Sequence, residues 1–183
     1  MKKTYLISAF IFLLSACSGE ETDISPQIEA ESVQEEFFAN LFERCGETFS
    51  GEATFPEDPD DELVGVNLVA TVQTCTEEEV RITLAAGGDE SRTWVVSRTD
   101  NGLHLRHDHR YPYGTPHDLT NYGGLATDGG TATRQYFAAD DSTKQMLPEA
   151  ATNVWMMEIE NDEFIYYLER GGEPRFRAEL IRD

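Results

Sequence analysis

The spacing of apolar residues changes along the chain, and each change marks an element. Tyr5 to Leu14 is apolar apart from Ser8 and follows Lys2 and Lys3. It is too short to cross a bilayer as a helix, which takes about 20 residues. It fits the basic and apolar parts of a secretion signal. Residues 18–31 are acidic with few apolar positions, which predicts a disordered tether. Val33, Phe37, Leu41 and Cys45 then recur every four residues, with Phe38 and Phe42 beside them. That is the pattern of an amphipathic helix of about three turns. Ser32 with Glu35 forms a capping box at its start, and Gly46 is placed to end it.

After Gly46 the period falls to two. Thr48 to Phe55 places Phe49, Ala53 and Phe55 on one face. Pro56 to Glu62 is an acidic loop. Leu63 to Thr74 aligns Val64, Val66, Leu68, Ala70 and Val72, and Val80, Ile82 and Leu84 alternate up to Gly87-Gly88. Arg92 to Thr99 turns at Asp100-Asn101-Gly102, a strong hairpin signal, into Leu103 to Tyr111. Thr131 to Ala138 is another alternating run. Asp140 to Leu147 reads as a short helix stopped by Pro148. Asn153 to Glu160, Phe164 to Arg170 and Arg175 to Ile181 follow, joined by Asn161-Asp162 and Gly171-Gly172. Some nine strands with short turns predict an antiparallel barrel or sandwich. A closed, lipocalin-like β-barrel with an N-terminal helix is the favoured fold, because closure removes exposed sheet edges. A two-sheet β-sandwich is the alternative.

Composition narrows the function classes. The 183 residues include 14 Lys and Arg against 35 Asp and Glu, a net charge of -21. Phosphate binding needs clustered basic residues, so a nucleic-acid partner is not expected. Hydrophobic residues make up 39%, enough for a packed core. No repeat or second long apolar run is visible, so one domain over 32–183 is expected.

The apolar run ends Leu14-Ser15-Ala16-Cys17. This resembles the lipobox of bacterial lipoproteins: an aliphatic residue, two small ones, then Cys. The resemblance implies a signal peptide over 1–16 and a lipidated tether over 17–31. It also implies a diacylglyceryl group on the Cys17 sulfur and an acyl chain on the new amino group, with palmitate-type chains. Several acyl chains hold a protein stably where one does not. Ser18 resembles the outer-membrane sort, so the chain is expected in the periplasm on the outer membrane. In an organism with one membrane it would sit on the cell membrane. Cleavage removes two of the 14 basic residues and leaves a net charge of -23. Such a surface repels anionic headgroups, so the lipid at Cys17 rather than the protein face would make the membrane contact.

Cys45 and Cys75 remain, and an oxidising compartment favours pairing them. The bridge would close a loop of about 30 residues, worth roughly 3–4 kcal/mol in the chain-entropy model.

His104, His107, His109 and His117 crowd into one stretch. Strand alternation puts Leu103, Leu105, His107, His109 and Tyr111 on one face. A turn at Asn101-Gly102 would set Trp94 opposite His109. Trp94, His107, His109, Tyr111 and His117 are therefore the candidate ligand-binding residues, a polar end to an apolar face. His-x-His on a strand also suits a metal, held by His107, His109 and His117 if by any. The cupin family uses that pattern, but Tyr113 stands where its Glu is expected, and no His follows His117. No cofactor is expected otherwise, and no catalytic motif appears. Asp60-Asp61 and Asp140-Asp141 read as solvated charge or, at Asp140, a helix cap. Tyr166 is expected to face Arg177 across the last hairpin as a cation–π pair.

Ser91 to Val95, Leu103 to His109, Tyr122-Gly123-Gly124 and Asn153-Val154-Trp155 together resemble a family of bacterial secreted proteins of unassigned activity. That resemblance implies a secreted domain and no mechanism. The expected function is binding, of a small or partly apolar molecule or of an envelope protein. A metal-dependent enzyme built on the His-x-His strand and a purely structural envelope protein are the alternatives.

Overall fold

The computed structural model describes residues 26–56 and 60–183. The signal segment, Cys17 and the first part of the expected tether lie outside the described residues. Ten antiparallel strands form a closed barrel: β1 (Thr48–Phe55), β2 (Leu68–Cys75), β3 (Glu79–Ala86), β4 (Asp89–Thr99), β5 (Gly102–His109), β6 (Tyr122–Ala126), β7 (Arg134–Ala139), β8 (Asn153–Glu160), β9 (Glu163–Arg170) and β10 (Glu173–Arg182). Each strand pairs with its neighbours in sequence, and β1 closes the ring against β10. The barrel expectation holds, with one strand more than the alternation revealed.

The missed strand is β6. Its Tyr-Gly-Gly-Leu-Ala sequence carries little strand signal. The glycines answer to crowding. A Cβ on Gly123 would lie 1.9 Å from the Leu105 carbonyl oxygen, and one on Gly124 would lie 1.7 Å from that of Ala138. Only glycine lets the neighbouring backbones approach this closely. The Thr143 hydroxyl then seals the outer side, accepting from the Gly123 N–H and donating to its carbonyl, both at 2.7 Å.

Other boundaries differ from expectation in instructive ways. The helix α1 spans Pro26–Glu43, so it starts inside the expected tether, with Ser32 in its interior rather than at its cap. Proline suits a first helical turn, where its missing N–H costs nothing. Residues 63–67 turn rather than extend; the Asp61 carboxylate accepts from the Leu63 N–H at 2.9 Å and Gly65 has φ +73. The hairpin between β4 and β5 turns on Asp100-Asn101, with Gly102 following at φ +91. Trp94 therefore pairs with His107, and Arg92 with His109. The shift is two residues, so every side chain keeps its expected face. Tyr166 pairs with Ala178 and faces inward, while Arg177 pairs with Tyr167 and bonds Glu179. The expected Tyr166–Arg177 contact is not made.

Apolar residues fill the barrel, and its outer face mixes charged side chains with apolar ones such as Val95, Met156 and Ile165. Ala70, Val72, Val80, Ile82, Val96, Leu105, Phe137, Met157 and Phe164 are buried inside. Arg81, Arg106, Glu158 and Glu179 stand at alternate positions outside. That is the reverse of a transmembrane barrel, whose outer band is apolar. Among the described residues no helix is long and apolar enough to cross a membrane.

α1 plugs one end. Gln34, Phe37, Phe38 and Leu41 share its buried face at helical spacing. The Gln34 side-chain amide oxygen accepts from the Leu103 N–H at 2.8 Å, and the Asn40 side-chain amide donates to the Ala132 carbonyl at 2.7 Å. The Arg98 guanidinium lies 4.0 Å over the Phe38 ring and pairs with Glu35 at 2.7 Å. Just past the helix, Cys45 is bonded to Cys75 at the end of β2, as the sequence led us to expect. The opposite end carries the longer connections: residues 56–67, 110–121 and 140–152. The last of these holds the helix α2 (Asp141–Met146) and a single 3-10 turn, Pro148–Ala150. Asp140 caps α2 through the Thr143 N–H at 2.8 Å.

A candidate ligand cavity at the open end of the barrel

Strand alternation decides what faces the open end. Arg92 and Trp94 on β4, His107 and His109 on β5, and Tyr122 on β6 point inward. So do Asn153 and Trp155 on β8, Tyr166, Leu168 and Arg170 on β9, and Phe176 on β10. They surround a cavity of about 550 Å³. That volume is in the range of small-molecule sites. The loops add Asp61, Glu62 and Leu63, then His117 and Leu119, then Leu147, Glu149 and Ala150.

The wall is aromatic and internally hydrogen-bonded. Trp94 stacks on Tyr166 at 4.4 Å between ring centroids, and His107 stacks on Tyr122 at 4.7 Å. Trp155 tilts against His107 at 5.1 Å. Such pairs each contribute about 0.5–1.5 kcal/mol beyond their buried area. Nδ1 of His107 lies 3.1 Å from the Tyr122 carbonyl oxygen, and Nε2 lies 2.6 Å from the Tyr166 hydroxyl. A carbonyl can only accept, so Nδ1 carries the proton and donates. Nε2 then accepts from the Tyr166 hydroxyl. Burial pushes the His107 pKa down to about 3, so the ring is neutral near pH 7. Burial likewise raises the Tyr122 hydroxyl to about 12 and Tyr166 well above its usual value. Both phenols stay protonated and able to donate.

The rim is charged. Arg92 bonds Glu62 and, at 3.0 Å, Asp89. His109 is half-buried, with Nε2 at 3.3 Å from the Tyr122 hydroxyl. Burial holds its pKa down, with the nearby Arg92 and His117 adding to the effect. The loop over 110–121 is pinned by the buried Asp108, which lies 2.6 Å from Arg81 and 3.0 Å from Arg110. Asp108 faces the outside of β5, so these pairs set the loop without entering the cavity.

Four of the five residues singled out from sequence, Trp94, His107, His109 and His117, line this cavity. Tyr111 does not line it. It stands half-exposed outside and packs on His117 at 4.0 Å. The three inward histidines form no metal cage, since both nitrogens of His107 are engaged and His109 meets His117 only edge-on at 6.2 Å. Among the described residues no three of His, Cys, Asp and Glu converge as metal ligands. Tyr122, Trp155, Tyr166, Phe176, Arg170 and Arg175 also line the cavity and were not among the candidates. Alternation gave Trp155, Tyr166, Phe176 and Arg170 an inward face, but only the closure of the ring brings them opposite Trp94 and His107; Tyr122 lies on the strand that alternation did not reveal, and Arg175 at a bulge.

Comparison with family models, curated proteins and solved structures gives no match. The functional reading therefore rests on the site.

Proposed function

We propose that the protein is a membrane-anchored periplasmic lipoprotein whose barrel binds a small, partly apolar molecule. It is a binding module rather than an enzyme. The observation that carries this reading is the cavity of about 550 Å³, open at one end and lined by both tryptophans of the chain. A purely structural barrel gains stability by filling its interior, since each void forfeits packing. This barrel is filled over its lower half and left open above. The hydrogen bonds of His107 lock the wall in place without using the open space.

Anchoring rests on the lipobox at Cys17, since charged side chains such as Arg81, Arg106, Glu158 and Glu179 interrupt the outer face of the described barrel. Cys17→Ser is expected to release the protein from membranes; a variant that still fractionates with membrane contradicts the anchor. Binding is tested by tryptophan emission, because the only two indoles, Trp94 and Trp155, face the cavity. The protein is stripped of ligand by unfolding and refolding, then titrated with the small-molecule fraction of its own envelope. A saturable change in emission is expected, and unchanged emission at all additions speaks against the reading.

A further inference from the structure

The chain carries 35 acidic side chains, and nearly every basic group has found one. Of the twelve Lys and Arg among the described residues, ten hold an ion pair with Asp or Glu. The two that do not are Arg170 and Arg175, and both line the cavity. Asp61 and Glu149 line the same mouth, yet neither pairs with them.

Local structure positions both guanidinium groups. Arg170 is the last inward residue of β9, and its Nε donates to the Asn153 amide oxygen at 2.8 Å. That bond orients the guanidinium and leaves its Nη groups free of any described carboxylate. Arg175 sits where the β9–β10 register slips between Pro174 and Phe176. Regular alternation from Phe176 would turn Arg175 outward. A bulge re-aims the side chain, and here it brings Arg175 to the mouth. A planar guanidinium fork matches the oxygens of a carboxylate, sulfate or phosphate.

The space beneath sets the rest of the ligand. Trp94, Tyr166 and Phe176 offer ring edges to the space, and Trp155 is fully buried behind them. Below them Ile82, Val96, Leu105 and Phe164 are fully buried and close the barrel. A long extended acyl chain has no room there, whereas a compact ring system fits. We propose that the cavity takes a compact, flat apolar molecule bearing one anionic group, its ring against Trp94, Tyr166 and Phe176 and its anion on Arg170 and Arg175. This rests on the binding reading above and names the ligand class.

The test is calorimetric titration of the full-length protein with four probes: 2-naphthoate, its uncharged amide, the cationic 2-naphthylmethylamine and inorganic phosphate. Naphthoate is expected to bind at least tenfold more tightly than the amide and to change tryptophan emission. Arg170→Gln with Arg175→Gln is expected to bring naphthoate down to the amide's affinity and leave the amide unchanged. Arg175→Gln alone, at an exposed position, is expected to fall between. Equal binding of acid and amide to the parent overturns the anion assignment and leaves the binding reading standing. Tighter binding of the amine overturns it too. Phosphate binding as tightly as naphthoate overturns the ring half of the proposal. Failure of all three ring probes overturns the proposal whole, while a ligand retained from the envelope still decides the binding reading separately.

Discussion

His107 shows how a single residue is made to serve a wall. It is buried between Tyr122 and Trp155, with a donor bond from Nδ1 and an acceptor bond at Nε2. Its folded pKa near 3 lies below the ordinary value of 6.5, so the unfolded chain takes up a proton that the folded chain refuses. Stability is therefore complete above pH 6.5 and falls as the pH drops from there toward 3. The slope from this one group approaches about 1.4 kcal/mol per pH unit. Denaturant unfolding at pH 7.5 and pH 5.5 checks it. The parent is expected to lose stability between the two, and His107→Gln to lose less. Equal losses would show that His107 takes its proton while folded. The same residue marks what was legible in the sequence. Alternation from Leu103 gave its inward face, and Trp94 gave it an aromatic neighbour. Nothing in the local sequence announced Tyr166 as its partner, because that hydroxyl arrives from across the barrel.

At the scale of elements, turns and alternation carried most of the fold. Gly87-Gly88, Asn161-Asp162 and Gly171-Gly172 connect consecutive paired strands, as the sequence implied. The β4–β5 turn was placed correctly, but its register was off by two, since Gly102 follows the turn instead of forming it. β6 escaped notice because its glycines answer to neighbouring backbone and not to strand propensity. Arg175 escaped for a related reason: a bulge is a property of the pairing. Gly124→Val drives a side chain into the Ala138 carbonyl, where even a Cβ has only 1.7 Å. Overpacking of this kind costs about 1–3 kcal/mol, and more where backbone must shift. The midpoint of thermal unfolding is expected to fall by several degrees, while Gly129→Ala, with its nearest neighbour at 3.8 Å, should leave it in place. A Gly124→Val protein as stable as the parent would mean that β6 does not pass this close to β7.

On the scale of the whole molecule, the two ends of the barrel do different work. α1 and the Cys45–Cys75 bond close one end, and loops frame the other. The described chain begins at the closed end, in α1. The proposed anchor at Cys17 lies ahead of it in sequence and outside the described residues. Among the described residues the acidic groups stand mostly on the outer face and the rim, the kind of charge that favours solubility. The open end is proposed to hold a molecule. Native mass spectrometry of the protein taken from its own envelope tests this most directly. An added mass of a few hundred daltons at one per chain is expected, the size a 550 Å³ cavity accommodates, lost on unfolding. A spectrum showing only the lipidated chain, in protein never exposed to denaturant, would contradict it.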